Sequence, residues 1–154
     1  MKIIFLDIDG PMIPSGMFLI HRNASFERQF SPLCIAVANE MCRVTGAKIV
    51  LNTTHNRELH GVPNIDQALI QQGLVATHLH PIDRHTRYPD LARNLAIKEW
   101  LAQHDEVEEW VAVDDCQCAE APNMVLVDPD CGIHTGTLYQ VCAVLGGTPP
   151  LFLL

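Results

Sequence analysis

The chain begins with a compact apolar run, Lys2-Ile3-Ile4-Phe5-Leu6, that stops at Asp7-Ile8-Asp9-Gly10. A short β-branched and aromatic run closed by a turn signal predicts a buried strand over about Lys2–Asp7. Similar runs at Lys48–Leu51, Leu74–Leu79, Trp110–Val113 and Met124–Val127 predict four more strands. Between them the period shifts to that of a helix. Ser31-Pro32 pairs an N-cap with a proline at the first helical position. The helix it opens, Leu33–Thr45, carries apolar residues at 33, 37, 41 and 44, and Gly46 ends it. A second helix opens at Asn64 or Asp66 and runs to Gln72, before Gly73. Asp90 caps a third over Leu91–His104, and a fourth spans about Thr135–Leu145. Residues 11–30 read as irregular, with Pro11, Pro14 and Gly16. Strands separated by helices need crossovers. The expected fold is therefore α/β: a Rossmann-like three-layer sandwich with a central, mostly parallel five-stranded sheet and helices on both faces.

The polar residues matter because of where the runs stop. The predicted strands end in Asp7/Asp9, in Asn52-Thr53-Thr54-His55, in Asp114-Asp115 and in Asp128-Pro129. Parallel sheets place ligands at the carboxyl ends of their strands. Two acids held as close as Asp7 and Asp9 repel unless a cation or a proton intervenes. Asp-Gly after a strand is also ordinary turn chemistry, so the pair takes its meaning from partners elsewhere. The all-oxygen set suits Mg²⁺, which keeps waters for a phosphate. Thr53 offers a hydroxyl to such a phosphate, and an Arg or Lys of the third helix offers charge.

Composition narrows the classes. The 154 residues are expected to form one domain, with 48% apolar residues to fill its core. A net charge of −8 opposes wrapping long nucleic acid but allows the grip of one terminal phosphate. No run approaches membrane-spanning length, and Asp7 cuts the first run too early for a signal peptide. A soluble cytoplasmic protein is expected, with no membrane partner. The six cysteines lack zinc-knuckle spacing: Cys116 and Cys118 are one residue apart, and Cys34, Cys42 and Cys142 sit in apolar patterns. Cys116, beside the acidic pair, is either a reactive thiol or a structural one. His78-Leu79-His80 reads as a strand end with polar residues at the rim, a weak metal pair without a third ligand.

These residues resemble a known family in order and spacing. Asp7-Ile8-Asp9-Gly10 is similar to the first motif of the haloacid dehalogenase (HAD) superfamily of phosphatases. Ile49-Val50-Leu51-Asn52-Thr53 resembles the second, and Arg93-x-x-x-Ile97-x-x-Trp100-Leu101 the third. Val111-Ala112-Val113-Asp114-Asp115 resembles the acidic fourth. The run Val127-Asp128-Pro129-x-x-Gly132-Ile133 resembles one subgroup, the small HAD domains associated with RNA-repair proteins. The likeness spans nearly the whole chain, as a single HAD-like domain over 1–154.

The resemblance implies roles. Asp7 is the expected nucleophile, forming an aspartyl-phosphate. Asp9 is the expected acid and base, and its carbonyl a Mg²⁺ ligand. Asp115 is the expected principal acidic ligand, with Asp7 and Asp114 beside it. Thr53 and Arg93 are expected to bind the transferring phosphoryl group, with Gly10 and Asn52 lining the substrate. Asn52 or Thr54 competes with Thr53, and Lys98 with Arg93. Asp128 reads as a turn cap before Pro129. Two departures stand out: Pro11 follows Gly10 where the family often has Thr or Val, and Cys116 follows the acidic pair. Neither removes a catalytic group.

The intervals 10–52 and 54–92 leave room for a helix each and loops, so no separate cap domain is expected. An open site suits a phosphate on something large, such as a nucleic-acid end, or a nucleotide. Phe18, His21, Arg22 and Phe26 form either a lid or stacking surface or part of the core. Arg84, His85 and Arg87 are either a solvated loop or a substrate contact. The expected function is a Mg²⁺-dependent phosphomonoester hydrolase. The alternative is an idle HAD-like module that binds a phosphorylated partner.

Overall fold

The computed structural model describes residues 1–20, 29–53, 64–81 and 92–150. Thr54, His55, the Arg84–Tyr88 stretch, Asp90, His21, Arg22, Phe26 and the apolar tail from Leu151 lie outside the described residues. Four parallel strands form one sheet in the order β2-β1-β3-β4: β1 (Lys2–Leu6), β2 (Lys48–Leu51), β3 (Glu109–Asp114) and β4 (Met124–Leu126). Among the described residues five helices accompany it: α1 (Ser15–Ile20), α2 (Pro32–Thr45), α3 (Ile65–Gln71), α4 (Arg93–Leu101) and α5 (Thr135–Leu145).

The expected five-stranded sheet is corrected to four. Leu74–Leu79 does not form a strand. Ala76–His78 winds into one 3₁₀ turn, and only Leu79 reaches the sheet, as an isolated bridge to Ile49. Residues 11–30 are not wholly irregular either, since Ser15–Ile20 is helical. α4 ends at Leu101, short of His104.

Alternation along the strands builds the layers. Ile4 and Leu6, with Ile49, Leu51, Val111 and Val113, face a large core shared with α2, α3 and α5. Ile3, Phe5, Val50 and Ala112 face the other way, onto Ile97 and Trp100 of α4. The central strand is thus buried on both faces, which is why it reads as a continuous apolar run. Its ring, Phe5, meets Trp100 edge-on with centroids 5.3 Å apart.

Capping explains where α2 starts and stops. The Ser31 side chain accepts from the Cys34 N–H at 3.4 Å, Pro32 follows, and the Gly46 N–H donates to the Cys42 carbonyl at 2.9 Å. α5 starts on a less usual cap: the His134 ring accepts from the Gly136 N–H at 3.0 Å, and the Thr137 hydroxyl accepts from the His134 N–H at 3.2 Å. No helix among the described residues is long and apolar enough to cross a membrane.

Candidate active site

The register of the sheet brings the strand ends level. Leu6 pairs with Leu51 on one side and Val113 on the other. One residue on, the Asp7 N–H donates to the Val113 carbonyl at 3.0 Å, and the Asn52 N–H to the Leu6 carbonyl at 2.9 Å. Asp7, Asn52-Thr53 and Asp114 therefore share one edge of the sheet. Asp7, Asn52, Thr53 and Asp114 are all buried.

Arg93, the first residue of α4, is inserted among the acids. Its Nη1 lies 2.9 Å from Asp7 Oδ2 and 3.6 Å from Asp115 Oδ1, and it donates to Asp114 Oδ1. Lys98, the competing cation, is exposed on the same helix. Three carboxylates around one guanidinium leave a formal charge of −2, three negative against one positive. The Asp7 side chain is fully buried.

Burial first, and the neighbouring Asp114 carboxylate second, push the Asp7 carboxyl up from 3.8 to about 7. Arg93, the Ile8 N–H and the Thr53 hydroxyl act the other way but do not cancel these effects. Thr53 is close enough to lower the Asp7 pKa, yet neither Asp7 oxygen receives a well-formed hydrogen bond among the described residues. Asp114 Oδ2 also lacks one, while Asp114 Oδ1 accepts from the Cys116 N–H at 2.8 Å. Desolvation raises the Asp114 pKa as well. The Asn52 amide carries a buried Nδ2 donor with no acceptor among the described residues. Buried carboxylate oxygens short of well-formed hydrogen bonds, beside an unmatched Asn52 donor, are an expensive arrangement for a folded protein. It is relieved by a cation and an oxyanion together, and an all-carboxylate set with a −2 balance fits Mg²⁺.

The loop after Asp7 is shaped by two glycines. Gly10 has φ +84°, and a Cβ there would sit 3.0 Å from the Asp115 Cβ and 3.2 Å from its Oδ2. Gly10 thus lets the first loop close against Asp115. Gly132 has φ +70°, and a Cβ there would meet Pro14 Cγ at 2.5 Å and Cys34 Sγ at 2.8 Å. The next residue, Ile133, donates its N–H to the Pro11 carbonyl at 2.9 Å. The Gly132-Ile133 run noted in the sequence braces the loop behind the acids, a role that spacing alone did not reveal. Asp9 sits in this loop, bridged to Ile13 and half-buried.

Asp128 is exposed and serves the turn: its Oδ1 accepts from the Asp130 N–H at 2.9 Å, and its carbonyl from the Gly132 N–H at 2.9 Å. All six cysteines are free. Desolvation and the Asp115 carboxylate raise the Cys116 pKa, so this thiol holds its proton and is a poor nucleophile.

A parallel sheet whose central strand ends in Asp7-x-Asp9-Gly10, flanked by Asn52-Thr53 and Asp114-Asp115 and met by Arg93 at a helix start, defines a HAD-type domain. The chain belongs to the family described as "HAD domain in Swiss Army Knife RNA repair proteins", which it matches over residues 3–137. Membership of that family suggests phosphatase-like hydrolase activity. No curated protein and no solved structure matches the chain.

Proposed function

We propose that this domain is a Mg²⁺-dependent phosphomonoester hydrolase that works through an aspartyl-phosphate on Asp7, with nucleotides or nucleic-acid ends as its substrates. The observation that carries the reading is the buried Asp7 carboxylate, 2.9 Å from Arg93 and crowded by Asp114 and Asp115. Asp7, Asp114 and Asp115, with the Asp9 carbonyl, would hold Mg²⁺, which when bound offsets the repulsion between these carboxylates and an incoming phosphate. The chain's own residues then divide the work. The Arg93 guanidinium and the Asn52 amide, with the Thr53 hydroxyl, hold the phosphoryl oxygens. Asp7 attacks phosphorus, the ester P–O bond breaks, and Asp9 gives its proton to the leaving oxygen. Asp9 then takes a proton from water as that water attacks phosphorus. The P–O bond to Asp7 breaks, and inorganic phosphate leaves.

The reading takes the chain as one domain without a cap. Between Gly10 and Asn52 the described elements are α1, α2 and β2; between Thr53 and Arg93 they are α3 and the 3₁₀ turn. An open site of this kind admits a phosphate carried on a large molecule. A groove of about 500 Å³, lined by Asn94, Ile97 and Lys98 of α4 and by Trp110, Gln117 and Cys118, runs along α4 and does not include the acidic residues of the site. Six free cysteines agree with a reducing, cytoplasmic setting.

The test is release of inorganic phosphate from an aryl phosphate, mononucleotides and phosphorylated oligonucleotide ends, with and without Mg²⁺. Turnover that needs Mg²⁺ and vanishes in Asp7→Asn is the expected result. Tight binding of phosphorylated ends without any turnover would replace this reading with that of a binding module.

A further inference from the structure

A second group of ligating side chains lies at the other end of the sheet. A nitrogen of His80, a nitrogen of His104 and a carboxylate oxygen of Glu106 lie within 4.8 Å of one another. The His80 backbone N–H donates to the Ile49 carbonyl at 2.9 Å, and Ile49 pairs with Ile4, the middle residue of β1. The Glu108 N–H donates to the Met1 carbonyl at 2.9 Å, which fixes the segment after His104 at the start of β1. The group therefore sits away from the edge that carries Asp7.

Packing holds both rings. His104 stacks on the Trp100 indole, with centroids 3.6 Å apart and planes 8° from parallel. His80 is buried and stands edge-on to both, 5.4 Å from Trp100 and 5.6 Å from His104. The His104 Nδ1 lies 2.7 Å from the Trp100 carbonyl oxygen. A carbonyl only accepts, so Nδ1 carries the hydrogen and Nε2 carries the lone pair. A backbone carbonyl that fixes the tautomer in this way is the usual support of a metal-binding histidine.

We infer that His80, His104 and Glu106 form a site for a borderline divalent transition ion of the Zn²⁺ type, separate from the Mg²⁺ site. Two imidazoles and one carboxylate suit such an ion, whereas Mg²⁺ prefers oxygen alone. Tetrahedral zinc brings its ligands to about 3.3 Å from one another. The exposed Glu106 side chain is free to move toward the fixed rings and supply the closure. The ion, completed by water, clips the end of α4 to the segment after the 3₁₀ turn.

The experiment titrates metal-stripped protein with Zn²⁺ against a chromophoric chelator, in excess Mg²⁺ so that the oxygen site is filled. Co²⁺ in place of Zn²⁺ reports the geometry by its visible absorption. One equivalent is expected to bind, raising the Tm. Affinity is expected to fall at least tenfold in His104→Ala and in Glu106→Gln, and to hold in Cys116→Ser and Asp115→Asn. Glu106 is exposed, so its variant keeps the fold. No uptake in excess Mg²⁺, unchanged affinity in both His104→Ala and Glu106→Gln, or loss of binding in Cys116→Ser would each overturn the inference. Hydrolysis is not a readout here, so this result stands apart from the catalytic assignment.

Discussion

The two ends of β1 treat their polar residues in opposite ways. Past its carboxyl end, Asp7 is buried against like charge, and Asp7 and Asp114 keep carboxylate oxygens without hydrogen bonds among the described residues. At its start, His104 is stacked on Trp100 and bonded to a carbonyl, and His80 stands edge-on to that stacked pair. The first end is held together against its own electrostatics, while the second is held by packing. Strain of the first kind is kept where a ligand relieves it. The difference teaches that the acidic end should respond to Mg²⁺, and that the ring end should be indifferent to that ion.

The largest expected effect is on turnover. Asp7→Asn keeps the shape and removes the carboxylate proposed to attack phosphorus, so hydrolysis should fall at least about a thousandfold. The same variant should be no less stable than the native protein at pH 7, because it removes a buried charge. Reduced stability there would contradict the contrast between the two ends.

Next comes pH. Asp7 holds its proton up to about 7 in the folded chain but loses it near 3.8 when unfolded. The folded state therefore binds more protons between these values, and the stability of metal-free protein should fall as pH rises from about 4 to 7. The loss is on the order of a few kcal/mol, read by urea unfolding across pH. It should shrink in Asp7→Asn and in saturating Mg²⁺, whose affinity should in turn rise over the same range.

Arg93→Ala leaves three carboxylates without their guanidinium and should cost about 3 kcal/mol of unfolding free energy. Millimolar Mg²⁺ should recover part of it. Smaller again is Gly132→Ala, expected to cost about 2 kcal/mol through the positive φ and the clash with Pro14 and Cys34. Gly16→Ala, in a helix with open space around its Cβ position, should instead gain about 0.5 kcal/mol, measured in the same denaturation series.

Much of this acidic end was legible from residue order, because strand termini and parallel pairing fix where side chains emerge. Asp7, Thr53 and Asp114 share the edge that the run-and-turn pattern marks, and Arg93, singled out through the family resemblance, meets them there. Leu74–Leu79 misled, because two buried leucines at its ends look alike in a strand and in a 3₁₀ turn that touches the sheet once. α1 gave no signal, since it buries no residue and exposes Phe18, Leu19 and Ile20 in succession. The ring end was illegible for another reason. His80 and His104 lie on separate segments, and only the packing of α4 around Trp100 brings them together.

The central place of β1 carries one more consequence, for folding. β1 precedes both of its partners, which lie at Lys48–Leu51 and Glu109–Asp114. Its pairings are long-range, and long loops must close before they form. A chain that stops short of residue 109 would leave one edge of this apolar strand open, inviting association with other chains. Asp7 is thus encoded early and assembled late, when the far half of the sequence arrives to enclose it.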